Sequence, residues 1–177
     1  MAAAKIWELV PVQPLIRFNK EDKRFIAGKD VLDALSTDTN LATMEWQEFE
    51  FLIRELFEKE FAAGGGEVKV TQASRDRGVD AVIFDPDPLR GGKLIVQAKR
   101  YTNVVDVSAV RDLYGTVINE GATKGILVTT SNYGRDAHDF AKDKPITLIN
   151  GSISFICSAS MVMPSGIDIA EARQLRK

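Results

Sequence analysis

Leu94-Ile95-Val96 and Ile126-Leu127-Val128 are each apolar at three successive positions. Successive side chains of a strand leave opposite faces, so a run of this kind buries both faces. A sheet built around two such strands needs cover on each side, and helices are the usual cover. The first run lies in Gly91–Tyr101, GGKLIVQAKRY, and it does not end as it begins. Gln97 and Lys99 stand two apart and so share a face, while Ala98 between them takes the other. A buried amide needs hydrogen-bond partners, so the polar end of an interior strand calls for a chemical reason.

The flanking segments supply the cover. TMEWQEFEFLIRELFEKEF, from Thr43, reads as a helix with an apolar stripe of Trp46, Phe49, Leu52, Ile53, Leu56, Phe57 and Phe61. Thr43 is the expected cap, Gly64–Gly66 the stop, and Trp46 a core residue. EVKVTQA alternates like a half-buried strand, and GVDAVIFDPDP is a second strand stopped by two Asp-Pro pairs. After the third strand, DVSAVRDLYGTVINEGA is a helix capped by Asp106 or Ser108 and ended by Gly121. KGILVTTS, GRDAHDFAKDK and PITLING follow as strand, short helix and strand. The order αβββαβαβ implies one mixed sheet with helices on both faces, an α/β fold.

Four side chains converge in that arrangement. If the second and third strands form a hairpin, Asp80 lies beside Gln97 and Lys99. Glu50 follows Phe49 at the edge of the helical stripe and can lean toward the same corner. Two carboxylates and an amide oxygen are hard ligands suited to Mg²⁺. A metal there polarises a phosphoryl oxygen and acidifies a water, and a nearby ammonium can orient that water or steady the phosphate. Each residue alone has a plainer reading: Asp80 as a strand cap or partner of Arg77, Glu50 on a solvated face, Lys99 snorkelling from a strand end.

The ordered set resembles the Mrr-type restriction endonucleases of the PD-(D/E)xK nuclease superfamily. The likeness rests on Phe49-Glu50, on SRDRGVD (Ser74–Asp80), and on Asp80 followed after sixteen residues by Gln97-Ala98-Lys99. QAKRYTN, VSAVRDLYG and GILVTTS agree in order and spacing, and the whole covers Met44 to Asn150. Many members of the superfamily carry Glu where Gln97 stands, and Gln is common in this branch. The resemblance implies a restriction-endonuclease-like mixed sheet flanked by helices, order αβββαβ plus a short helix and strand. It implies Mg²⁺-dependent hydrolysis of double-stranded DNA leaving 5′-phosphate, with Mn²⁺ a substitute, in type IV-like restriction of modified or foreign DNA. Glu50, Asp80, Gln97 and Lys99 take the catalytic roles. Asp80, Gln97 and the Ala98 carbonyl would bind the metal, with Glu50 acting through water. The Gln97 amide either meets the metal or orders the water that does.

The formal net charge is −2, so any basic surface is local. Arg75, Arg77, Arg90, Lys93 and Arg100, with Lys69, cluster by sequence around the site. Arg75, Arg77, Lys93, Arg100, Thr130 and Ser131 are the candidate DNA contacts, against a mixed-charge surface and plain helix capping as the alternatives. His138 reads as structural or exposed, and Cys157, the only cysteine, as an apolar filler that excludes an intrachain disulfide. No stretch approaches a membrane span and the start lacks a signal-peptide pattern, so a soluble cytoplasmic protein is expected.

Residues 1–43 read as an appendage or the tail of a larger protein, 44–150 as the endonuclease domain, and 151–177 as an extension. Ser152–Gly166 lacks helical period where related chains continue with a Leu-rich helix, which fits a compensated pair of frameshifts; IDIAEARQLRK then resumes a helical pattern. A homodimer and a further specificity domain or subunit are expected partners. Two other functions compete: a non-catalytic DNA-binding or assembly module of the same fold, and a phosphate-binding α/β protein using the VTTS turn. The latter should show a Gly-rich loop between strand and helix, and none is present.

Overall fold

The computed structural model describes residues 25–26, 40–62, 64–71, 78–89, 91–150 and 169–174. Its elements are β1 (Phe25–Ile26), α1 (Trp46–Ala62), β2 (Glu67–Thr71), β3 (Ala81–Asp85), β4 (Gly92–Lys99), α2 (Val107–Asn119), β5 (Lys124–Thr129), α3 (Arg135–Ala141), β6 (Ile146–Ile149) and α4 (Ile169–Gln174). The strands form one sheet in the order β1-β2-β3-β4-β5-β6. Pairs from β1 to β4 are antiparallel, and β4, β5 and β6 are parallel. The expected mixed sheet is present, extended by β1 from the segment read as an appendage.

Alternation along β4 and β5 sorts the core into two layers. Leu94, Val96, Ala98, Ile126 and Val128 join Phe49, Leu52, Ile53, Leu56 and Phe57 of α1. Ile95 and Leu127 join Val110, Leu113 and Val117 of α2 and Ala137 and Ala141 of α3 on the other face. The consecutive apolar residues thus bury both faces of the two central strands, with helices on each side. Among the described residues no helix is long and apolar enough to cross a membrane.

The ends of α1 differ from expectation at one terminus. Helical bonding begins at Glu45, whose carbonyl accepts from Phe49 N–H at 3.0 Å, rather than at Thr43. The Thr43 hydroxyl instead donates to the Asn40 carbonyl at 2.8 Å and closes the turn before the helix. Trp46, expected in the core, is 46% exposed, because it opens the helix at the rim of the apolar stripe. The C-terminus ends on glycine as expected. Gly65 has φ +77°, while Gly66 N–H donates to Phe61 O and Gly65 N–H to Ala62 O, the paired closure that a left-handed residue permits. Asp106, of the two candidates, caps α2 by accepting from Ser108 N–H at 2.8 Å.

Residues flanking the expected 44–150 domain are attached to it. Leu41 and Ala42 are fully buried, and Leu41 packs in the α1 layer. In α4, Ala172 is buried, and the Arg173 guanidinium donates to the Thr102 carbonyl at 2.7 and 3.2 Å. Ser152–Gly166, with Cys157 and the suggested frameshift, lies outside the described residues.

Candidate active site

The site lies where one side of the β4 ladder ends before the other. β3 pairs with β4 from Asp85↔Gly92 to Ala81↔Val96, and Asp80 N–H still donates to Val96 O at 3.0 Å. Beyond that point β3 stops, while β4 runs on against β5 to Lys99↔Thr129. The Ala98 N–H, the next donor on the β3 side, takes the Asp80 carboxylate Oδ2 at 2.6 Å in place of a backbone carbonyl. A strand residue's N–H and C=O point to the same neighbour, so the Ala98 carbonyl faces the Asp80 side as well. The Lys99 carbonyl faces the other way and accepts from the Thr129 hydroxyl at 2.7 Å.

Gln97 and Lys99 leave β4 on the face opposite Ala98, and Gln97 is buried at 3% exposure. The turn entering β3 crosses over both side chains. Gly78 there has φ +76°, and a Cβ on it would stand 3.4 Å from Lys99 Nζ and 3.6 Å from Gln97 Nε2. Only glycine holds that backbone without strain. This residue was not singled out from the sequence, although a glycine two positions before Asp80 was a readable signal.

Glu50 follows the fully buried Phe49 on α1, which packs on β2 and β4. Its carboxyl is held up at about 8, first by burial and then by the charge of Asp80, with Lys99 opposing. Asp80 is held up at about 7 by burial, which the Ala98 N–H and Lys99 offset only in part. Asp80 ionises first and so repels the second charge on Glu50. Glu50 and Lys99 thus lie within electrostatic reach of Asp80, and the Gln97 and Lys99 side chains lie together under Gly78.

That corner fits a divalent cation by its chemistry. Two carboxyls whose pKa values burial has raised are groups from which a bound cation would displace protons. The Asp80 oxygen not engaged by Ala98, the Ala98 carbonyl, the Gln97 amide and Glu50 are all oxygen donors, the set a hard cation prefers. Among the described residues no group of three or more His, Cys, Asp or Glu could hold a metal, so the non-carboxylate oxygens are needed to complete a ligand set.

The expected DNA contacts fare differently. Lys93 stands at the opposite end of β4, where its ammonium meets Glu120 Oε2 at 2.8 Å and the Glu120 carbonyl at 3.0 Å. Six residues of strand span about 20 Å, so closeness to Lys99 in sequence is not closeness in space. The Arg100 guanidinium turns to the Ala42 carbonyl at 3.1 Å and fastens the turn before α1. Thr130 and Ser131 are buried at 1% and 3% exposure, and the Thr130 hydroxyl donates to the Tyr101 carbonyl at 2.8 Å. Lys93, Arg100 and Thr130 are thus engaged within the chain, and Thr130 and Ser131 are buried. Arg75, Arg77 and Arg90 lie outside the described residues. His138 is exposed, edge-on to Tyr133 at 5.8 Å.

Comparison with known proteins places the chain in a family. The chain is 28% identical over 144 residues to the type IV methyl-directed restriction enzyme EcoKMrr of Escherichia coli (strain K12), covering 78% of this chain and 47% of that protein. It thus spans about half the length of the curated relative it matches. Similar solved structures include the DNA modification-dependent restriction endonuclease AspBHI, 24% identical with a TM-score of 0.44 over 67% of this chain and 36% of that one. The MspJI restriction endonuclease in complex with a 27-mer oligonucleotide is 19% identical with a TM-score of 0.40 over 71% and 35%. The restriction endonuclease family Mrr_cat matches residues 41–153, more than half of the chain, and the chain belongs to this Mrr-type restriction endonuclease family.

Proposed function

We propose that the chain is a Mg²⁺-dependent endodeoxyribonuclease, with Mn²⁺ able to substitute, acting on double-stranded DNA in type IV-like restriction of modified or foreign DNA in the cytoplasm. The observation that carries this reading is the opening of the β3/β4 ladder at Ala98. There Asp80 replaces a backbone partner, and burial raises the pKa of Glu50 and Asp80 beside Lys99. Asp80, Gln97 and the Ala98 carbonyl would hold the cation, with Glu50 acting through water, and a cation held there would polarise a phosphoryl oxygen and acidify a water. The Lys99 ammonium orients the attacking water and steadies the negative charge that grows on the phosphate. Asp80 fixes the Ala98 backbone and with it the spacing of the donors on β4. Gly78 closes the corner over Gln97 and Lys99.

In this reading residues 44–150 form the endonuclease domain, with 1–43 an appendage and 151–177 an extension. DNA is read by a further domain or subunit, and a homodimer supplies the two sites that double-strand cleavage requires. The decisive experiment is cleavage of methylated and unmethylated supercoiled plasmid with Mg²⁺, comparing wild type, Asp80→Ala and Lys99→Ala. Wild type should cleave plasmid and leave ligatable 5′-phosphate ends, and both variants should not. Cleavage that survives both changes would refute the assigned site. Binding without cleavage under every divalent cation would favour a non-catalytic DNA-binding module.

A further inference from the structure

Thr129 and Thr130 are buried at 0% and 1% exposure, at the end of β5, and their hydroxyls need partners there. Thr129 lies in register with Lys99. Its hydroxyl donates to the Lys99 carbonyl at 2.7 Å and accepts from Ser131 N–H at 3.2 Å, so its orientation is set by both. The Thr130 hydroxyl donates to the Tyr101 carbonyl at 2.8 Å. The two bonds straddle Arg100 and hold the backbone at, and just after, Lys99.

This is the point at which β4 has the least support. Its ladder to β3 ends at Val96, and its ladder to β5 ends at Lys99↔Thr129. A strand end with no further ladder bonds frays. Asp80 holds Ala98 from the β3 side, and the two threonines hold the chain from the β5 side. Tyr101 is 42% exposed, so the bond to its carbonyl is not there to bury that residue. What the pair fixes is the line of the backbone from which Lys99 projects.

We propose that Thr129 and Thr130 are positioning residues for Lys99, a two-hydroxyl latch that keeps the ammonium in line with the carboxyls of Asp80 and Glu50. The inference rests on the nuclease reading of the Lys99 site. Threonine suits the task because its hydroxyl reaches a neighbouring carbonyl while its β-branched carbon fits a strand. Valine keeps that shape and removes only the hydroxyl.

The test compares Thr129→Val, Thr130→Val and the double valine variant with Thr129→Ser and Thr130→Ser. Plasmid cleavage, DNA affinity in Ca²⁺, half-saturating Mg²⁺ and melting temperature are read for each. The double valine variant should lose on the order of 10–100-fold in kcat, the effect of misplacing a catalytic group by about 1 Å. Its DNA affinity and half-saturating Mg²⁺ should stay within about twofold, and the serine variants should stay within about threefold in kcat. Thr130 lies beyond the last β5 pair, so Thr130→Val with its serine rescue decides the matter if Thr129→Val does not fold. Full kcat in the valine variants beside an active wild type would overturn the latch alone. A loss that merely follows melting temperature and is not rescued by serine would overturn it too. An inactive wild type would overturn the nuclease reading and the latch together.

Discussion

The two ends of β4 carry the same side chain and put it to different uses. At Lys93 the ladder is complete on the β3 side, Phe84↔Lys93 followed by Asp85↔Gly92, and Thr123 N–H closes on the Lys93 carbonyl at 2.7 Å from the other. The ammonium meets one carboxylate and one helix-terminal carbonyl, both from Glu120. At Lys99 the β3 ladder has already stopped, a carboxylate stands in for it, and one ammonium faces two carboxyls that burial has pushed up. Where a strand's neighbours continue, a charge is neutralised one to one. Where a neighbour stops, donors and acceptors are left over, and those leftovers are available for chemistry.

The sharpest way to break that contrast is to truncate each lysine in turn. Lys99→Ala should lower plasmid cleavage by on the order of 10²–10³-fold, the loss expected when one charge-stabilising donor is removed. Lys93→Ala should change it by less than about twofold, since a charge about 20 Å from the site and paired with Glu120 acts weakly there. Initial rates at saturating Mg²⁺ measure both. Equal losses at the two ends would erase the distinction.

The carboxyl end should also show itself in stability. In the unfolded chain Asp80 and Glu50 ionise near 4, whereas in the fold they hold protons to about 7 and about 8. The folded state thus binds more protons between these limits, and stability of the metal-free protein falls as pH rises from about 4 to about 8. Asp80→Asn should remove its share of that fall and stabilise the metal-free protein at pH 8 by on the order of 4 kcal/mol. The same change should abolish the stabilisation that added Mg²⁺ gives the wild type. Urea unfolding at pH 5 and pH 8, with and without Mg²⁺, measures both effects. A wild-type stability that rises over this range would contradict the crowded-carboxyl account.

The Lys99 end of this contrast is legible in the sequence, for definite reasons. The apolar runs Leu94–Val96 and Ile126–Val128 require two covered faces, and the two layers follow. Alternation puts Gln97 and Lys99 together whatever the details, and a hairpin brings Asp80 to them. Elsewhere a residue's type does not name its partner. A threonine hydroxyl at a strand end reads the same whether it meets a phosphate or, as at Thr130, a backbone carbonyl. Arginine and lysine near a site in sequence read as DNA contacts, yet Arg100 turns to Ala42 and Lys93 to Glu120. β1 is two residues long, too short to carry any period. The role of Gly78 lies in a backbone angle, which the residue permits but does not announce.

Gly78→Ala probes the working end more gently. The substitution forces an L residue to φ +76°, a strain of about 1–2 kcal/mol, and sets a methyl against Lys99 Nζ and Gln97 Nε2. Stability should fall by that amount, and cleavage should fall by more than stability alone predicts, with melting temperature and kcat measured on the same preparation.

The smallest effect belongs to the structural end. Lys93 and Glu120 are partly buried, with side-chain exposures of 14% and 28%, and the ammonium also meets a carbonyl at the C-terminus of α2, where a cation is favoured. Lys93→Met keeps the stem's packing and removes only the charge. It should destabilise the fold by about 1 kcal/mol, more than most exposed ion pairs contribute because this one is shielded and shared with the helix end. In Glu120→Gln the helix-terminal carbonyl remains available to the ammonium, so that variant should lose less than Lys93→Met. Urea midpoints of the two variants and their double mutant give the coupling directly. A coupling near zero would mean that Lys93 is held by the helix terminus alone, and the one-to-one neutralisation ascribed to this end of β4 would have to be given up.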